Sequence, residues 1–433
     1  MVVTPGRGSG EGRAVGLVDA APFHGLRYDP AVAGDPAATS APAYDELDRF
    51  TYASHRAASP YTVLELLSPP DDTGSYRAAG DALRRWRRTG VLVRDPAPAV
   101  YRYEEHELRR GLPTVQRGLL AAVALEDPGP RAAILTHEAV DRRRVADRLA
   151  RLEAVRADLA PVFALATGAP AELSDRLARP PARPPVVALT DEAGCDHRVW
   201  AIIDPDEIDA LCRSLAGVRV LVADGHHRYA AALAARSRHR GDAWRRTLMY
   251  VVDATVDGPE VRGVHRLLRG ADRATLRRLA QDFSFAPAPS DPEGLRASLH
   301  AVPGRAFGLV LAPPLAAAQG AATALLQPRD EAALAARLPH ERSPRWRQLD
   351  TAVLDQAVLP RLGARAVEHR ADLTEAAAEV TAADDAMLFV LRPVDPRTAE
   401  ALAAGGEHMP PKSTYFRPKP RAGLVLRPLD EPA

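Results

Sequence analysis

Lysine is almost missing from this chain: among 57 basic residues only Lys412 and Lys419 are lysines, and asparagine does not occur at all. Arginine supplies every other positive charge, as expected of a composition that replaces Lys with Arg wherever either serves. A lysine that survives such a bias marks either chance survival on a solvated loop or a position that needs a compact ammonium on a flexible stem. Cysteine is equally scarce. Cys195 and Cys212 are too few for a disulfide framework and lack the C-x-x-C spacing of zinc or redox motifs, so both read as packing residues. The Gly-rich start, Met1 to Arg13, carries no apolar core of signal-peptide length. No apolar run approaches the roughly 18 residues that span a bilayer. A cytoplasmic protein without membrane contact is therefore expected.

What remains is ordinary globular material, 46% hydrophobic and 26% charged, enough for two or three cores. The formal charge of +1 is spread along the chain without basic stripes, which argues against nucleic acid as a partner. Proline- and glycine-rich stretches punctuate alternating helix and strand patterns, so the fold class read from the sequence is α+β, a mixed α/β arrangement. Tyr61 to Leu67 alternates like a strand, and Tyr76 to Thr89 reads as an amphipathic helix stopped by Gly90. A helix is expected over Thr114 to Leu125, a short strand at Ile134-Leu135, and a helix from Asp141 to Leu159. Val186 to Leu189 and Val199 to Ile203 read as a hairpin around Asp191-Glu192-Ala193-Gly194. Further strands are expected at Leu248 to Val252 and Met387 to Leu391, with a helix over Leu349 to Leu362.

The sharpest signal is an apolar strand, Val218 to Ala223, running through Asp224-Gly225 into an Ala-rich helix over Tyr229 to Arg238. A strand that passes through a glycine turn into a helix start presents free amides and the positive end of the helix dipole, which together bind anions. Around that point stand Asp224, His226, His227 and Arg228. They supply a carboxylate for Mg²⁺ or a proton, two imidazoles, and a forked guanidinium for phosphate. His137-Glu138 begins like a zincin motif, but Asp141 occupies the place of the second histidine, which excludes the simple metalloprotease. Glu138 then reads as a general base for a hydroxyl, or else as a cap or ion-pair partner of the following helix.

These motifs, taken in order, resemble a known family. Thr136-His137-Glu138, then Val222 to Tyr229, then Met409-Pro410-Pro411-Lys412-Ser413-Thr414-Tyr415-Phe416 are similar to the bacterial and archaeal proteins called domain of unknown function 1015. Ala41 to Asp45, Tyr76 to Trp86, Trp200, Val264-His265-Arg266 and Leu349-Asp350 add to the likeness, which runs from about Ala14 to Pro428. The family's Pro-Pro-Tyr-Asp-Val is Ala41-Pro42-Ala43-Tyr44-Asp45-Glu46 here, and neither Tyr44 nor Asp45 is given a role. A more distant resemblance is to the ParB/sulfiredoxin superfamily, which includes kinases of free L-serine.

That resemblance implies a ParB/sulfiredoxin-like core with a strand-turn-helix phosphate loop and flanking α/β units. The expected division is an N-terminal α/β unit (14–113), the core (114–268), a closing α/β unit (269–400) and a C-terminal Pro-Lys-Ser-Thr segment (401–429) that returns to the core. By the same resemblance Glu138 is the base, and Asp224, Gly225, His226, His227 and Arg228 form the phosphate and Mg²⁺ site. Lys412, Ser413 and Thr414 become donors to the transferring phosphoryl group.

The leading expectation is a kinase that uses ATP, ADP or pyrophosphate with Mg²⁺ to phosphorylate serine or a similar small molecule. A phosphoester hydrolase in which Glu138 activates water is the alternative within the fold, separated by finding free phosphate without phosphorylated acceptor. A ParB-like, nucleotide-responsive DNA-binding protein would instead show steeply salt-dependent affinity for DNA. A metal site of His137, His226 and His227 is a lesser variant, which metal analysis would test.

Overall fold

Leu119 to Val123 is apolar at every position because the strand Leu112–Ala124 is covered on both faces of a nine-stranded sheet. Leu119, Ala121 and Val123 join one core with Val162, Val220 and Met249, while Leu120 and Ala122 join the other with Phe163, Leu248 and Tyr250. The helix expected over Thr114 to Leu125 is corrected accordingly. An unbroken apolar run has no period that separates a doubly buried strand from a buried helix. Pairing with long neighbours decided the matter, since Val100–Arg109 lies on one side and Arg246–Asp253 on the other. Glycine is required within this strand, because a Cβ on Gly118 would lie 2.5 Å from the Tyr250 ring and the Val251 carbonyl.

The computed structural model describes residues 16–43, 47–67, 75–109, 111–169, 171–363 and 366–430; Tyr44 and Asp45 lie outside them. The main sheet runs in the order Ile134–Leu135, Val220–Asp224, Val162–Ala166, Arg246–Asp253, Leu112–Ala124, Val100–Arg109, Asp196–Ile202 and Val187–Thr190, with Ala20–Ala21 also paired to Leu112–Ala124. A second sheet of six antiparallel strands is built from His265–Arg269, Phe283–Pro287, Phe307–Leu311, Thr323–Pro328, Ala366–Arg370 and Ala386–Val390. Two further cores lie about it. The chain is thus a mixed α/β protein in which the expected hairpin at residues 187–202 and the strands at 134–135, 246–253 and 386–390 all form.

The helix expected over Asp141 to Leu159 stops at Val155, before the strand Ala157–Asp158, and two other elements differ from expectation. Tyr61 to Leu67 forms no strand; it ends in a helical turn, Leu64–Leu67, with Val63, Leu64, Leu66 and Leu67 all buried. Buried residues fall at neighbouring positions, 63–64 and 66–67, with Glu65 between them half-exposed, a pattern one helical turn satisfies as well as a strand does. The helix over Asp350 to Leu362 forms, but widens to a π turn at Leu354–Val358. That widening directly precedes Pro360, which has no amide and whose ring crowds the turn before it.

The C-terminal segment is a long buried strap. Tyr415–Arg417 pairs with Glu260–Arg262, Ala422 bridges to Ala41, Leu426 to Leu26, and Arg427–Pro428 pairs with Ala157–Asp158. Arg427 is buried and donates to Asp158 at 2.8 Å, which ties the end of the strap to the short strand Ala157–Asp158. Among the described residues no helix is long and apolar enough to cross a membrane.

Candidate active site

His137 and Glu138 follow the strand Ile134–Leu135, and Gly225 to Arg228 follow Val220–Asp224. The two strands are parallel neighbours, so their carboxyl ends open at the same edge of the sheet, the usual place for a ligand in α/β proteins. A register shift between Val222 and Asp224 re-aims the last residue, as bulges near functional sites do.

Gly225 makes the turn with φ +93°, in the left-handed region, at the start of the helix His226–Arg238. The first amides of that helix have no partner within it and share its positive dipole end. A Cβ on Gly225 would also lie 3.0 Å from Arg228 Nε. Gly225→Ala is therefore expected to lower stability by about 1–2 kcal/mol through backbone strain alone. Urea denaturation measures it, and an unchanged midpoint would show the turn to be unstrained.

Asp224 is clamped between two cations. Its Oδ1 lies 2.9 Å from Lys419 Nζ, and its Oδ2 accepts a hydrogen bond from Arg228. The three side chains are only 13–17% exposed. Burial alone would raise the Asp224 carboxyl, but Lys419 and Arg228 outweigh it and hold the group well below the usual carboxylate range. Lys419 also sits over the Tyr415 ring at 5.1 Å. Arg228, expected to present its fork to a phosphate, instead divides it between Asp224 and the Pro161 carbonyl, 2.5 Å away.

Glu138 is about a quarter exposed, with Oε2 3.9 Å from His226 Nδ1. Burial raises its carboxyl above the ordinary value; Asp224 adds to the rise, while Lys412 and Lys419 pull against it. Glu138, Asp224, Lys412 and Lys419 therefore share one electrostatic neighbourhood, although they come from three distant parts of the chain. Lys412 is exposed and takes a left-handed backbone, φ +55°, uncommon for any residue but glycine. Its carbonyl accepts from Arg266 Nη1 at 3.1 Å, and the fully buried Arg266 is itself locked to Asp355 by bonds of 2.9 and 2.8 Å. Such over-determination is what keeps an unfavourable backbone in place.

His226 is buried, and its Nε2 has no hydrogen-bond partner among the described residues. Burial first, and then the neighbouring His137, depress its pKa well below the ordinary histidine value. His137 packs edge-on against it at 4.7 Å, with its own pKa lowered to about 4 by burial. His227 points the other way: the Asp141 amide donates to its Nε2 at 3.1 Å, at the head of the helix Arg142–Val155. Among the described residues, His137, His226 and His227 do not bring three ligand atoms close enough to share one metal ion.

The C-terminal motif divides. Ser413, expected to donate to a phosphoryl group, is buried; its hydroxyl proton goes to the Pro410 carbonyl at 2.7 Å and its oxygen faces Thr351 at 3.0 Å. The Thr414 hydroxyl is engaged by His137 Nε2 at 2.9 Å. Ser413 and Thr414 thus fasten the strap to the core, and Lys412 is the one polar side chain of Pro411 to Thr414 that is exposed. Lys419 was given no role from the sequence, its rarity being the available signal, and His137, expected only as a metal ligand, instead holds the Thr414 hydroxyl. A cavity of about 230 Å³ lined by Glu107, Arg262, His265, Asp372 and Arg417 holds none of these residues.

The family described as "Protein of unknown function (DUF1015)" matches residues 20–352. No curated protein matches the chain. Among solved structures, C-terminally truncated SbnI from Staphylococcus aureus is similar at 14% identity and a TM-score of 0.36, over 69% of this chain and 84% of that one. A variant free serine kinase in complex with ADP is similar at 15% identity and a TM-score of 0.32, over 66% and 84% respectively. A conserved hypothetical protein from Pyrococcus furiosus is similar at 14% identity and a TM-score of 0.32, over 66% and 87%.

Proposed function

The chain belongs to the domain of unknown function 1015 family, and on that premise we propose that it is a small-molecule phosphotransferase: a kinase that moves a phosphoryl group from ATP, ADP or pyrophosphate to the hydroxyl of free serine or a similar metabolite. The observation that carries this reading is the gathering of Glu138, Asp224, Lys412 and Lys419 about the amide end of the helix His226–Arg238. Phosphoryl transfer asks for positioning and for positive charge on the phosphoryl oxygens more than for covalent chemistry. Helix amides, Lys412 and Lys419 supply that charge from the protein. Glu138 takes the proton of the acceptor hydroxyl, whose oxygen attacks phosphorus while the donor's bridging oxygen departs with the electron pair. His226, whose Nε2 has no partner among the described residues, offers a hydrogen bond inside the site.

Mg²⁺ suits this donor set. Asp224 is a hard oxygen donor, and each of its oxygens keeps a lone pair beside its present partner. When bound, the ion neutralises phosphoryl oxygen charge. The choice of acceptor rests on the resemblance of Glu138, the Asp224–Arg228 turn and the Pro411–Thr414 segment to kinases of free L-serine.

Incubation of the protein with Mg²⁺, L-serine and each donor in turn, read by phosphorus NMR, is expected to yield phosphoserine with at least one donor. Free phosphate without phosphoserine favours the hydrolase, with Glu138 activating water. Silence with all three donors and with other small hydroxyl compounds sinks the reading.

A further inference from the structure

The hairpin of Val187–Thr190 and Asp196–Ile202 carries a second cluster of chemistry-bearing side chains. Asp191, Cys195 and His197 present an oxygen, a sulfur and a ring nitrogen within 4.8 Å of one another, the one such trio among the described residues. Asp191 is already oriented: its Oδ1 accepts from the amides of Ala193 at 3.0 Å and Cys195 at 2.8 Å, which leaves Oδ2 facing His197 Nε2 at 3.0 Å. On its other side the buried His197 meets the Tyr103 hydroxyl, 2.8 Å from Nδ1. Behind them the fully buried Glu105 brings Oε1 to 3.8 Å from Nδ1, and that oxygen has no hydrogen-bond partner among the described residues. An unpaired buried carboxyl oxygen is costly, so its persistence here calls for an explanation.

We propose that Asp191, Cys195 and His197 bind a divalent ion of the zinc class, with Tyr103 and Glu105 orienting the histidine behind it. A thiolate, an imidazole and a carboxylate form a borderline-soft donor set that suits Zn²⁺, whereas Mg²⁺ and Ca²⁺ want oxygen only. The 3.0 Å between Nε2 and Oδ2 is close to the roughly 3.3 Å that separates two ligands of a tetrahedral zinc ion, so this pair opens by only tenths of an ångström. On binding, the thiol proton leaves to solvent and the imidazole proton moves from Nε2 to Nδ1. There the Tyr103 oxygen accepts it, and the Tyr103 hydroxyl turns to the free oxygen of Glu105. A ligating histidine whose other nitrogen is held by such a chain is the common pattern of zinc sites.

Arg421 Nη1 lies 3.6 Å from both Asp191 Oδ2 and Glu192 Oε2. The Asp191 carboxylate and the Cys195 thiolate offset the ion's two positive charges. Arg421 also donates to Ser40 at 3.2 Å. The ion would thereby brace the strap two residues beyond Lys419.

The test uses untagged full-length protein titrated with Co²⁺, which reports a bound thiolate by a sulfur-to-cobalt charge-transfer band. One ion per chain, displaced by Zn²⁺, is expected. Cys195→Ser should abolish the band and weaken Zn²⁺ binding at least tenfold, Cys212→Ser should keep it, and Glu105→Gln should weaken binding by about 10–100-fold. No band in the wild-type protein, or equal Zn²⁺ affinity in Cys195→Ser, overturns the proposal. An ion held at Asp224 has oxygen ligands and gives no such band, so this result is independent of the phosphotransferase reading.

Discussion

Glu138→Gln is expected to lower turnover with the productive donor by about 10²–10⁴-fold, the range over which a positioned general base contributes. Glutamine keeps the shape and the neighbouring contacts but cannot take the hydroxyl proton, so KM should change far less than kcat. The pH profile gives a second reading. Burial raises the Glu138 carboxyl, so its basic form is lost as pH falls through a value above that of an ordinary glutamate. The acid limb of kcat/KM in the wild-type protein should lie correspondingly high, and Glu138→Gln should lack it. A variant that retains full turnover, or the same acid limb, would remove Glu138 from the chemistry.

Asp224→Ala should cost about 3–5 kcal/mol of stability, because it leaves Lys419 and Arg228 side by side, largely buried, without their shared anion. Chemical denaturation compared with the wild-type protein measures this. The sign with pH follows from the depressed carboxyl: the contribution is fully present above the unfolded aspartate value of about 3.9 and is lost as pH falls through the lower folded value. The gap between the two proteins should therefore be flat at neutral pH and narrow only in strong acid. A loss within about 1 kcal/mol, as for an exposed ion pair, would mean that both cations reach solvent unaided.

Local signals account for the part of the site that was readable in advance. Gly225 at a strand-to-helix junction requires only its immediate neighbours, and the amide-rich bend formed where the pattern placed it. The hairpin around Asp191 and Gly194 is equally local. Thr114 to Leu125 failed for the opposite reason: whether an unbroken apolar run becomes helix or strand was settled by residues 100–109 and 246–253, well outside any local window. Ser413 and Thr414 looked like phosphate donors because hydroxyls beside a lysine suit that role, yet their partners, Thr351 and His137, are supplied by distant elements.

Lys419 marks the division most clearly. Composition alone singled out both lysines, since a chain that uses arginine almost everywhere keeps an ammonium at only two positions. Composition could not say that Lys419, and not Arg228 alone, would neutralise Asp224. Sequence by itself determined the mixed α/β character, the glycine turn and the candidate residues, because periodicity and backbone preference act over a few neighbouring residues. Tertiary structure decided which side chains are free and which are spent on one another, because the strap returns across roughly two hundred residues of chain to complete the site, and close-range charge and hydrogen bonding are set only there.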